Sequence, residues 1–132
     1  DYAYDSSEFG EKYRRENYDT LYPQRRKLMA ENCIYEGQPA LLTEFGGIAM
    51  QREAKDGNWG YNTGAKSEEE FLSRYKNLMD GIYAQKELQG FCYTQLTDVQ
   101  QEVNGLLYPD RSPKFEISKI KKIIFPKIRL GS

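Results

Sequence analysis

Between positions 67 and 88, Phe71, Leu72, Tyr75, Leu78, Met79, Ile82 and Tyr83 recur at intervals of three and four, which places them on one face of an α-helix. Ser67 followed by Glu70 makes a capping box, so the pattern predicts a helix over 67–88, closed by Gly90. The period changes on both sides. Pro39-Ala40-Leu41-Leu42-Thr43-Glu44-Phe45 is a short apolar run ahead of Gly46-Gly47, and it predicts a buried strand over 40–45 entering a sharp turn. Phe91-Cys92-Tyr93-Thr94-Gln95-Leu96-Thr97, rich in aromatic and β-branched residues, predicts a second strand over 90–97. Residues 51–66, which carry Gly57, Trp59, Gly60 and Gly64, and residues 98–112 have the polarity of long loops. Pro113 is expected to open a last helix through 124, stopped by Pro126. The first 37 residues are Tyr-rich and weakly periodic, with Pro23 in their midst, and predict loop with a short helix near 24–32.

The order strand, loop, helix, strand, loop, helix is that of an α/β fold with a parallel sheet, and both strands feed long loops from their carboxyl ends. In such folds the chemistry sits at that end. Two strands close neither a barrel nor a doubly wound sheet, and the pair leaves an edge and an apolar face uncovered. The fold implied by the pattern is therefore larger than the chain. Its first residue is not Met, which adds to the expectation of a piece of a longer protein.

Composition narrows the function classes. The chain has 132 residues, is 39% hydrophobic and 14% aromatic, and lacks any apolar run near the roughly 20 residues that a membrane helix needs. With 19 basic and 20 acidic residues the net charge is -1, so no global field would recruit nucleic acid or an anionic membrane. Lys119, Lys121, Lys122 and Lys127 form the one basic run, and beside Ile117, Ile120, Ile123 and Ile124 they make the solvated side of a helix. Cys33 and Cys92 are too few for a disulfide framework and are expected to be reduced. The absence of His removes Ser/His and Cys/His nucleophile systems and the commonest metal ligand. Catalysis here would run on carboxylates, Tyr or Lys, and neither a metal nor an organic cofactor is expected.

Glu44 stands out on physical grounds as a carboxylate at the end of an apolar strand, with two glycines behind it that allow a ligand to approach. A buried carboxylate is costly unless it is paired or used, so either a strand-end ion pair or a function would account for it. Tyr93, in the second strand, could face the same site or fill the core.

PALLTEFGG at 39–47, WGY at 59–61, GFCYTQLTDVQQEVNGLL at 90–107 and DRSPK at 110–114 together resemble the last two βα units of the glycoside hydrolase family 2 barrel. That family contains β-galactosidases, β-glucuronidases and β-mannosidases. The resemblance implies the C-terminal portion of a (β/α)8 TIM barrel, with residues 1–38 an irregular segment and 39–132 the last two units. Asp1-Tyr2 resembles the segment at the end of the sixth strand. The family's two-glutamate retaining mechanism then places the nucleophile at Glu44. Its acid/base partner, in an Asn-Glu pair on the fourth strand, is absent from this chain, although retention needs the two carboxyls about 5–5.5 Å apart.

The same resemblance implies that Tyr93 stacks beneath the sugar, where the family carries an aromatic residue, often Trp. It places Tyr2 near a tyrosine that hydrogen-bonds the nucleophile. Trp59 would line the aglycone site or pack its own loop, and Asp98 and Glu102 would meet sugar hydroxyls or be solvated. Glucuronidases use Asn-x-Lys after the eighth strand, whereas Glu102-Val103-Asn104 stands here, so the expected substrate is a β-galactoside rather than a glucuronide. The competing reading is a non-catalytic carbohydrate-binding or interaction module derived from such a barrel. An Asn-Glu pair encoded upstream of Asp1 separates the two. Either way, missing strands or self-association must cover the apolar inner face. The compartment is left open by the sequence.

Overall fold

A computed structural model describes residues 1–10, 12–50, 60 and 64–125. It is a small mixed α/β domain in which strands β1 (Ala40–Gly46) and β2 (Leu88–Thr94) pair in parallel, with helices α1 (Glu68–Ala84) and α2 (Ile117–Ile124). A parallel pair cannot be closed by a tight turn, and α1 lies in the crossover between the strands.

Helix α1 begins where Ser67 Oγ accepts from the Glu70 amide at 3.1 Å, while the Glu70 carboxylate accepts from the Lys66 amide at 2.9 Å. Its buried face is Phe71, Tyr75, Leu78, Met79, Gly81 and Ile82; of the expected stripe, Leu72 is half-buried and Tyr83 is exposed. That stripe meets Leu42 and Phe45 of β1, Phe115 ahead of α2, and Ala3, Phe9 and Tyr13 of the N-terminal segment. The Phe71 and Phe115 rings stack at 4.2 Å. Full burial of each large apolar side chain is worth about 1.5–3 kcal/mol, which makes this layer the main source of stability.

Several boundaries differ from expectation. Helix α1 stops at Ala84, not 88, because Leu88 leaves to pair with Ala40, and Gly90 lies inside β2 opposite Leu41. β2 ends at Thr94, before a cis peptide to Gln95, since β1 has already turned away and the chain from 95 to 97 pairs instead with 104–107. Helix α2 starts at Ile117 rather than Pro113. Residues 113–114 are tied to the preceding loop instead, Pro113 bridging to Leu107 and the Lys114 amide donating to Leu106 O at 3.1 Å, and the chain bends at 114–115 before the helix. No α-helix forms near 24–32: a single 3₁₀ turn at Pro23–Arg25 is broken by Arg25 at φ 65°, and the region lacks an apolar stripe that a helix could bury.

The N-terminal segment joins the core through Phe9, Tyr13 and Tyr18, yet it does not seal the sheet. A groove of about 510 Å³ remains between Tyr13, Tyr18, Tyr35, Leu41 and Thr43, and Leu41 is 57% exposed. Among the described residues no helix is long and apolar enough to cross a membrane.

Candidate functional site

The end of β1 is shaped by a bulge. Leu42 pairs with Phe91 and Phe45 with Tyr93, so three steps on β1 match two on β2. Leu42 and Phe45 are both buried as a result, and Thr43 and Glu44 between them are exposed. Glu44 was expected on a buried strand; the bulge turns it out to solvent instead. Its carbonyl accepts from the Asp1 nitrogen at 2.5 Å, which brings the start of the chain alongside the end of β1. Asp1 is held there by its carboxylate, which accepts from Tyr13 Oη at 2.5 Å and from Lys12 Nζ. Tyr2, half-buried, follows directly and so stands near the same strand end.

Tyr93 shares that end of the sheet but not the side expected. Its ring makes edge contacts with Phe45 at 5.5 Å and with Tyr75 of α1 at 4.9 Å, and its hydroxyl donates to Asn104 O at 3.1 Å. Burial pushes its phenol well above the usual tyrosine range, with the neighbouring Tyr75 adding to the shift. Tyr93 therefore packs in the helix-facing layer and does not converge on a cleft with Glu44. The half-buried ring props up the strand end from behind.

Asp98 is likewise not a free sugar-binding group. It is 7% exposed, and its Oδ1 accepts from Lys114 Nζ at 2.7 Å and from the Gly105 amide at 2.8 Å. Lys114 Nζ also donates to Met50 O at 2.5 Å and Val103 O at 2.9 Å. Burial pulls the Lys114 ammonium below the usual lysine range, and the Asp98 carboxylate works against that shift. Glu102 is half-buried, and its Oε1 accepts from Asn104 Nδ2 at 3.0 Å. Asn104 is fully buried, and its Oδ1 has no hydrogen-bond partner among the described residues.

The structure thus brings Glu44, Asp1, Tyr93 and the 98–105 loop to the carboxyl end of the sheet. Trp59 lies outside the described residues. Lys114 and Asn104 were not singled out from sequence, although both fall inside the NGLL and DRSPK segments that carry the resemblance. Among the described residues no group of three or more His, Cys, Asp or Glu could hold a metal ion. No family model matches the chain, and no curated protein matches it.

Proposed function

We propose that this chain is the nucleophile-bearing C-terminal portion of a (β/α)8-barrel retaining glycosidase of the family 2 type, acting on terminal β-galactosides. The observation that carries the reading is the placement of Glu44. It is an accessible carboxylate at the carboxyl end of a parallel strand, where chemistry concentrates in this architecture, with a helix covering the opposite face.

In this reading Glu44 attacks the anomeric carbon and forms a glycosyl ester. A second glutamate, from outside the chain, protonates the leaving oxygen and later activates water. Loss of such acid assistance is commonly worth about 10² to 10⁴ in rate, so the 132-residue chain alone should turn over slowly or not at all. The remaining strands, or a second copy, would cover Leu41 and the groove beside it.

A dinitrophenyl 2-deoxy-2-fluoro-β-galactoside tests the assignment, because its leaving group needs little acid assistance. Mass spectrometry of the intact protein should find one fluoroglycosyl group on the peptide containing Glu44, and none in Glu44→Gln. Being exposed, Glu44→Gln should change stability by no more than about 0.5 kcal/mol. Labelling elsewhere, or equal labelling of the variant, would reject Glu44 as nucleophile.

A further inference from the structure

We propose that Lys114 is a positioning residue whose ammonium locks the loop after β1 to the loop after β2 and thereby fixes where the end of β1, with Glu44, stands. In what it says of Glu44 it rests on the reading above. The geometry of the lock does not.

An ammonium has three donors and no acceptor. All three of Lys114 are spent, on Met50 O, Asp98 Oδ1 and Val103 O. Met50 belongs to the chain leaving β1, whereas Asp98 and Val103 belong to the chain leaving β2. A second tie runs parallel to the first, the Met50 amide donating to Val103 O at 2.8 Å. The lock is also tightly closed. At Gly105 a Cβ would lie 2.4 Å from the Asp98 nitrogen and 2.5 Å from the Thr97 carbonyl carbon, so only glycine lets residue 105 lie flat on 97–98 and donate to Asp98.

The side chains of Lys114 and Asp98 are 1% and 5% exposed. A pair this dry gains little stability over an apolar pair of the same size, because desolvation consumes most of the attraction. What a hydrophobic pair could not supply is direction: three hydrogen bonds from one atom fix two backbone carbonyls and a carboxylate relative to each other. Between Glu44 and Met50 the chain is pinned again, the Gly47 amide donating to Thr94 O at 2.8 Å. The Gly47 and Met50 ties together set the course of the short segment that leaves Glu44, and small misplacements of a reacting group are expensive in rate.

The test uses the intact protein that carries this chain, with Lys114→Met, which keeps the stem and removes the ammonium. Amide exchange over 44–50 and over 98–105 should rise together by about tenfold or more, as expected for losing hydrogen bonds to a buried charge, with α1 unchanged. A rise confined to 98–105 overturns the proposal. Should Lys114→Met fail to fold, Lys114→Gln, which retains two donors, is measured in the same way. If α1 is then lost as early as the two loops, Lys114 is a general stability residue and the proposal also falls.

The functional arm is the rate of fluoroglycosyl labelling at Glu44, expected to drop by about 10- to 100-fold in Lys114→Met. Rescue separates positioning from packing. In a Cys33→Ser, Cys92→Ser background, Lys114→Cys alkylated while unfolded to the aminoethyl thioether should recover the rate, and the uncharged propyl thioether should not. Folded Lys114→Met that labels at the parent rate refutes the proposal and leaves the glycosidase reading intact. If the parent protein itself is not labelled, the glycosidase reading fails and the exchange data alone decide the lock.

Discussion

Gly46→Ala probes the support behind the candidate site. Gly46 closes β1 at φ +93°, and a Cβ there would lie 2.2 Å from Tyr93 Cε2 and 2.6 Å from Cδ2. Retreat of the half-buried ring is opposed by its edge contacts with Phe45 and Tyr75 and by the bond from its hydroxyl to Asn104 O. Two costs therefore combine. A left-handed backbone costs a non-glycine residue about 1–2 kcal/mol, and forcing an extra methyl into a packed layer costs about 1–3 kcal/mol. The sum, about 2–5 kcal/mol, is a large share of the roughly 5–15 kcal/mol that keeps a domain folded. In urea unfolding followed by circular dichroism, the midpoint should fall by about 1–2.5 M with an unchanged slope. The two costs separate in a cycle with Tyr93→Ala: in that background Gly46→Ala should retain only the backbone part, about 1–2 kcal/mol. A single-variant cost below about 1 kcal/mol, or an equal cost in both backgrounds, would show that the ring does not press on Gly46.

Two further outcomes follow from the buried polar groups. Asp98→Asn leaves the Lys114 ammonium buried opposite a neutral amide and should cost about 3–5 kcal/mol in denaturant unfolding, with part regained on adding Lys114→Met; a loss under about 1 kcal/mol would contradict the ion pair. Burial raises the phenols of Tyr13, Tyr75 and Tyr93 above their unfolded value, so the stability they contribute is fully present below pH about 10 and is lost as pH climbs toward the folded values. Lys12 and Lys114, with their folded values lowered, act in the opposite sense just below pH about 10.4, against these three tyrosines and the likewise raised Tyr18 and Tyr83. Spectrophotometric titration should therefore show these tyrosinates appearing together with unfolding, and their ionisation in a chain that is still folded would refute the packing described.

Helix α1 was legible in the sequence because a 3.6-residue stripe and an N-cap are local signals, and Phe71, Tyr75, Leu78, Met79 and Ile82 of the stripe are buried, whereas Leu72 is half-buried and Tyr83 is exposed at its edge. The order of elements and the parallel pairing followed in the same way, since a helix between two short apolar runs leaves few other connections. What the pattern could not carry were contacts between distant stretches of chain. Lys114 sits among polar loop residues, and nothing nearby in sequence shows that Met50, Asp98 and Val103 take its three protons. Pro113 looks like a helix start until Leu107 bridges to it and Leu106 O takes the Lys114 amide. Glu44 is the sharpest case. Strict alternation from the buried Leu42 would turn Glu44 inward as well, whereas the bulge ahead of Phe45 leaves it in solvent and places Tyr93 on the opposite, helix-facing side. Side-chain direction along a strand has period two, so one inserted residue reverses every assignment beyond it. Whether that residue is inserted is decided by the partner strand and the helix packed against it, and only the tertiary structure holds both.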